Sequence, residues 1–114
     1  MKTDGETRKK VYRREHFACA LCGNVEGLQV HHIIHRSQGG ANAPHNLIAL
    51  CWRCHAIAHG TRFPELDMTE RDMEQEIDEY MADLYACMGL LWNPWAKRLD
   101  RIAEVPEGSP DEDW

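Results

Sequence analysis

The chain has 114 residues, with 43% hydrophobic and 28% charged side chains and a formal net charge of −6. That size fits one domain plus extensions, and the composition excludes wholesale disorder. No apolar run approaches the ~18 residues of a membrane-spanning helix, and the first fifteen residues are polar and basic with no apolar signal core. The expectation is a cytoplasmic protein with no membrane contact, in which paired cysteines read as metal ligands before disulfides. The charge is divided. Residues 1–60 hold eight Lys/Arg against four Asp/Glu, and residues 61–114 hold five against fifteen. A basic half and an acidic half call for separate readings.

Residues 1–15 form a basic N-terminal segment, expected to lead into a short helix with Val11, Tyr12 and Phe17 as packing contacts. Cys19-Ala-Leu-Cys22, followed by Gly23 and Asn24, makes a knuckle that can present two thiolates to one ion. Leu28 to His32 partly alternates and reads as a strand. Residues 35–46 carry Gly39, Gly40, Asn42 and Pro44 and read as a loop. Leu47 to Leu50 reads as a second short strand. Residues 51–59, with Cys51, Cys54, His55 and His59, read as a helix ended by Gly60.

The second half changes character. Thr69 before Glu70, Arg71 and Asp72 marks a helix N-cap with acids in the first turn. Met73, Ile77, Tyr80, Met81, Leu84, Met88 and Leu91 fall at helical spacing, which predicts an amphipathic helix over about 70–91 with an acidic outer face. Asn93-Pro94 predicts a turn, and Trp95, Leu99 and Ile102 a second short helix. The division expected is a compact core at 16–62, an acidic helical extension at 63–103 and a disordered acidic tail at 104–114.

Two CxxC pairs, Cys19/Cys22 and Cys51/Cys54, suit a tetrahedral structural Zn²⁺. Their 28-residue separation exceeds that of a simple zinc ribbon, so something folded must lie between the knuckles. Cys87, inside the apolar stretch of the long helix, reads as a core residue. His55 and His59 stand at i and i+4 and share one helix face. With His31 they supply three nitrogens and leave positions open, which is the pattern of a catalytic metal rather than a closed structural one. His31 and His32 are neighbours in an extended segment, so they point to opposite sides. An unligated His32 beside the metal can take a proton from water near neutral pH. His35 reads as a solvent-facing loop residue, and His16 and His45 as non-ligands.

The string Cys19-x2-Cys22, Val30-His31-His32-Ile33-Ile34, Gly39-Gly40, Asn46-Leu47, Leu50-Cys51-x2-Cys54-His55-x3-His59 resembles the zinc-knuckle branch of the HNH endonuclease family over residues 16–60. The resemblance implies an α+β fold: a small zinc-stapled ββα-metal (His-Me finger) core, here flanked by a C-terminal helical extension. It implies that His31, His55 and His59 hold one catalytic divalent metal, that His32 is the general base, and that Asn46 braces the loop and orients that base. The all-imidazole set departs from relatives that carry Asp or Asn among the ligands. Imidazole suits Zn²⁺, Ni²⁺, Mn²⁺ or Co²⁺, and Mg²⁺ prefers oxygen, so the expected metals span Mg²⁺, Mn²⁺, Ni²⁺ and Zn²⁺.

The implied reaction is hydrolysis of a DNA phosphodiester to a 5′-phosphate and a 3′-hydroxyl, in a phage or prophage setting. Arg36, Arg53, Lys9 and Lys10 are the candidate contacts to neighbouring phosphates, each weighed evenly against an ordinary solvated charge. A non-catalytic zinc module that binds nucleic acid or protein explains the four cysteines but not the histidines and Asn46. A c-type haem attachment at Cys51-Trp-Arg-Cys54-His55 is opposed by the second CxxC and the adjacent histidines. For the C-terminal helix three readings stand: a cover for the small core, a homodimer or protein-partner surface, and an acidic autoinhibitory segment.

Overall fold

The computed structural model describes residues 5–97 and 102–104. Its elements are α1 (Gly5–Arg14), β1 (Gln29–His32), β2 (Leu47–Leu50), α2 (Trp52–Ala58) and α3 (Glu70–Cys87), with single 3-10 turns at Arg36–Gln38 and Pro44–Asn46. The two strands pair antiparallel, with His31 opposite Ile48 and His32 opposite Leu47. Strand, loop, strand and helix follow in the order the sequence suggests, and the fold is a small α+β ββα unit with a helix on either side.

All four residues of β2 are buried, which a two-stranded ribbon cannot achieve by itself. Both faces are covered because alternate side chains enter separate cores. Ile48 and Leu50 pack with Ile57 and Ala58 of α2 and with Met73, Ile77, Met81 and Tyr85 of α3. Leu47 and Ala49 pack against Val11 of α1. Met73, Ile77, Met81 and Tyr85 recur every four residues, so α3 lays one stripe on the core and exposes its acids. The long helix thus serves as the cover that so small a core needs.

α3 begins as its sequence suggests. The Thr69 hydroxyl accepts from the Asp72 N–H at 3.1 Å, and the Asp72 carboxylate accepts from the Thr69 N–H at 2.9 Å, completing a reciprocal capping box. It ends at Cys87, a turn earlier than the periodicity suggests. Gly89 takes a left-handed φ of +75° and turns the chain out of the helix. Met88 and Leu91 are consequently exposed, and so is Cys87, which is not the core residue expected. Trp95 lies in a turn whose Asn93 side-chain oxygen accepts from the Trp95 N–H. Residues 98–101 of the expected second helix and 105–114 of the expected tail lie outside the described residues.

α1 is tied to this unit by its last turn. The Arg14 guanidinium donates to the carbonyls of Leu47 at 2.5 Å and Pro44 at 2.8 Å. Glu15 is buried; it accepts from Arg14, from the Ala49 N–H at 3.2 Å and from the Tyr80 hydroxyl at 3.0 Å. One carboxylate therefore joins α1, β2 and α3. Phe17, expected to pack inward, is 57% exposed and only stacks on Tyr12. No helix among the described residues is long and apolar enough to cross a membrane.

Candidate active site

Two clusters of ligand-type side chains flank α2. The sulfurs of Cys19, Cys22, Cys51 and Cys54 all lie within 4.8 Å of one another. The Cys22 and Cys51 sulfurs are 3.6 Å apart, and those of Cys54 and Cys22 are 3.8 Å apart. Both separations are far beyond the ~2.05 Å of a disulfide. A tetrahedral zinc about 2.3 Å from each thiolate sets its ligands roughly 3.8 Å apart, so the set fits that ion. The first knuckle closes with the Gly23 N–H donating to the Cys19 carbonyl, and it is pinned to the strand by the Ala20 N–H donating to the Ala49 carbonyl. In the second knuckle the Cys51 sulfur accepts from the Cys54 N–H and caps α2.

Three of the four thiols depart from their ordinary acidity. The hydrogen bond from Cys54 holds the Cys19 thiol down at about 4. The Cys54 thiol is pushed up by that same bond to Cys19 and then by burial, and burial raises Cys22. Closely spaced sulfurs, three of them on buried cysteines, resist sharing negative charge, and a divalent ion would remove that conflict.

On the other flank, the ligand nitrogens of His31, His55 and His59 gather within 4.8 Å. The Nε2 atoms of His55 and His59 are 3.0 Å apart, near the ~3.3 Å that two imidazoles adopt around a tetrahedral ion. The ring centroids of the three lie 4.6–5.2 Å apart. His31 is buried, His55 half-buried and His59 exposed, so the cluster opens outward. Burial first, and the neighbouring imidazoles second, push the His31 pKa down to about 3. Burial and then His59 also lower that of His55. Both are neutral at pH 7, the state that binds a metal.

His32 points away from this cluster, as alternation along a strand requires. Its Nε2 lies 3.1 Å from the side-chain oxygen of Asn42. An amide oxygen only accepts, so Nε2 carries the proton and Nδ1 keeps its lone pair. Burial lowers the His32 pKa; the Asn42 bond opposes that, and the Arg36 charge and His35 add to it. Arg36 therefore stands close enough to His32 for its charge to be felt.

Asn46 is fully buried. Its side-chain oxygen accepts from the Ile34 N–H at 2.8 Å, and its amide donates to the carbonyls of Ile34 at 3.0 Å and Ala41 at 2.9 Å. It braces the loop immediately after the two strand histidines.

Other residues take places the sequence did not disclose. His35 is exposed, as expected of a loop residue, yet its ring lies 6.3 Å from that of His31 and 5.9 Å from that of His59. His45 is fully buried; its Nε2 donates to the Ala96 carbonyl, while the Trp92 indole donates to the His45 carbonyl at 2.7 Å. Asn42 was legible only as a loop former. Lys9 and Lys10 are exposed on α1, which packs on β2 and the Pro44–Asn46 turn, and Arg53 is half-buried on α2. His16 is exposed with a left-handed φ of +58°.

The model of the HNH endonuclease family matches residues 19–61, the segment that holds both clusters. No curated protein matches the chain. Among solved structures, the type IV phosphorothioation-dependent restriction endonuclease ScoMcrA is similar in fold, with a TM-score of 0.54 and 23% identity over 73% of this chain. The chain spans only 17% of that larger protein. Residues 19–61 are thus similar in sequence to an HNH endonuclease domain.

Proposed function

We propose that the chain is a metal-dependent endonuclease that hydrolyses DNA phosphodiester bonds, stapled by a four-cysteine structural zinc. The observation that carries this reading is the division of labour at the end of β1. His31 joins His55 and His59 in an open three-imidazole cluster, and the adjacent His32 stands outside it with its Nε2 on the Asn42 side chain.

The donor sets differ as the two jobs require. Four sulfurs close a tetrahedron and leave nothing for substrate. Three imidazoles leave at least one position open. A divalent cation held there supplies charge to offset what develops on the phosphate and the leaving oxygen. Mn²⁺, Ni²⁺ and Zn²⁺ suit nitrogen donors, and Mg²⁺ remains in the set to be tried.

The remaining chemistry belongs to the chain. His32 Nδ1 takes a proton from the attacking water, which then adds to phosphorus opposite the leaving 3′ oxygen. Asn42 holds the ring by its other nitrogen. Asn46 fixes the backbone on which the ring's orientation depends. The 3′ oxygen leaves with the electrons of its bond to phosphorus and takes a proton from solvent water, so the products are a 5′-phosphate and a 3′-hydroxyl. Arg36 near His32, Arg53 on α2, and Lys9 and Lys10 on α1 are proposed contacts to flanking phosphates. The phage or prophage setting rests on the family resemblance alone.

The test is nicking of supercoiled plasmid with Mg²⁺, Mn²⁺, Ni²⁺ or Zn²⁺, by the parent chain and by His32→Ala. Nicking is expected with at least one added metal, and its loss in His32→Ala at unchanged metal content. A protein that holds one zinc and nicks under no condition is instead a zinc-binding interaction module.

A further inference from the structure

A nucleic-acid strand that reaches the three imidazoles must cross the surface around them, and that surface is uneven. On α2 and its C-cap, residues 52, 56 and 59 fall on one stripe, with His55 on its flank and Cys54, Ile57 and Ala58 buried behind. The first residue of the stripe is Trp52, 47% exposed. It is held on one side. The Phe63 ring meets it edge-on at 5.9 Å, and its β-carbon lies 2.9 Å from where a β-carbon on Gly27 would stand. A ring fixed by its backing and open elsewhere loses little freedom when it gains a partner.

The spacing suits a nucleotide chain. Trp52 and His59 are seven residues apart, about 10 Å along the axis at 1.5 Å per residue. That is roughly three nucleotides for a strand that keeps the 3.4 Å stacked rise it has in a duplex. The flank formed by α3 is less hospitable. A cleft of about 360 Å³ beside His31 and His35 is lined by Glu70, Glu74 and Asp78, and Trp52 has no part in it. Phosphates entering that way meet three carboxylates, so the stripe toward Trp52 is the favoured path.

We propose that Trp52 is a nucleobase-stacking platform, which takes an unpaired base about three nucleotides from the phosphate at the imidazole cluster. The substrate class this selects is DNA with unpaired nucleotides: a single strand, a flap or a bulge, in preference to intact duplex. Stacking reads any base by its face, so it confers preference for structure rather than for sequence. The inference rests on the nuclease reading for the position of the phosphate.

The test titrates full-length His32→Ala protein into a single-stranded 12-mer carrying 2-aminopurine, and into the same strand as duplex. Stacking should quench the probe. Trp52→Phe should keep the quench and the affinity. Trp52→Leu, which retains apolar bulk against Gly27 and Phe63, should abolish the quench and weaken single-strand binding about ten-fold or more. Duplex binding should change less than about two-fold in the same variant. Zinc content checks the fold, and Trp52→Met is read instead if Leu lowers it. Unchanged quench and affinity without the ring overturn the proposal, as does an equal loss on duplex. Cleavage of the same single strand by the parent chain, scored beside plasmid nicking, separates the two ideas. Cleavage of either DNA without a Trp52-dependent quench overturns the platform alone, and a Trp52-dependent quench with neither DNA cut upholds the platform and overturns the nuclease.

Discussion

Asn46 grips both backbone polar groups of Ile34, accepting from its N–H at 2.8 Å and donating to its carbonyl at 3.0 Å. A second amide hydrogen reaches the Ala41 carbonyl. One buried side chain thus stands in for a strand partner where the β1–β2 ladder ends. Asn46→Asp keeps the shape and replaces the donor with an acceptor, leaving two carbonyls without a partner. A buried group left unsatisfied costs about 1–3 kcal/mol. Asn46→Asp should therefore melt several degrees lower and nick more slowly, with both metals still bound. Melting and nicking unchanged from the parent would contradict the bracing role.

The same loop explains Gly40. A β-carbon there would stand 1.8 Å from the Ile34 carbonyl oxygen and 2.9 Å from the Asn46 amide nitrogen. Neither can yield without breaking the grip. Gly40→Ala should destabilise the fold by about 1–3 kcal/mol, the usual range for overpacking. Gly5→Ala, with nothing within 4 Å of the added methyl, is the control and should not destabilise. Equal melting temperatures for the two variants would show that the loop relaxes around the extra carbon.

Much of this was legible in the chain. The i, i+4 spacing of His55 and His59 and the opposite facing of His31 and His32 follow from the geometry of one helix and one strand. The two CxxC pairs likewise announce the four-sulfur cluster they form. What escaped the sequence is set by tertiary contact. Asn42 reaches His32 across a ten-residue loop, and Glu15 gathers partners up to 65 residues away. His35 has no periodicity to place it, and only the loop's path brings it to the imidazoles. The early end of α3 reflects Gly89, a residue the apolar repeat passes over.

Cys51 has two roles that a substitution can separate. Its sulfur belongs to the four-cysteine cluster and also accepts from the Cys54 N–H at the start of α2. Serine is itself a good N-cap, so Cys51→Ser preserves the cap and removes one of the four clustered sulfurs. The variant should lose its zinc and melt far lower, because metal binding energy at such a site is folding energy. Parent protein treated with chelator should behave alike. Metal analysis beside thermal melting checks this, and a variant that kept full stability without zinc would remove the staple from the account.

His31 gives the protein a predictable response to acid. Its folded pKa is pushed down to about 3, by burial first and by the surrounding imidazoles second. In the unfolded chain it titrates near 6.5. Between those values the unfolded state carries a proton that the folded state excludes, so stability rises with pH and is lost as pH falls from about 6.5 toward about 3. With no divalent cation added, unfolding in denaturant should show a declining midpoint across that window. His31→Gln removes this ionisable group, so its decline should be shallower. A divalent metal that binds the neutral imidazoles should raise the parent's midpoint near pH 7 and leave His31→Gln much less affected. Parallel pH curves for the two proteins would mean that His31 is free to charge in the folded state, and its place in a buried ligand cluster would fail.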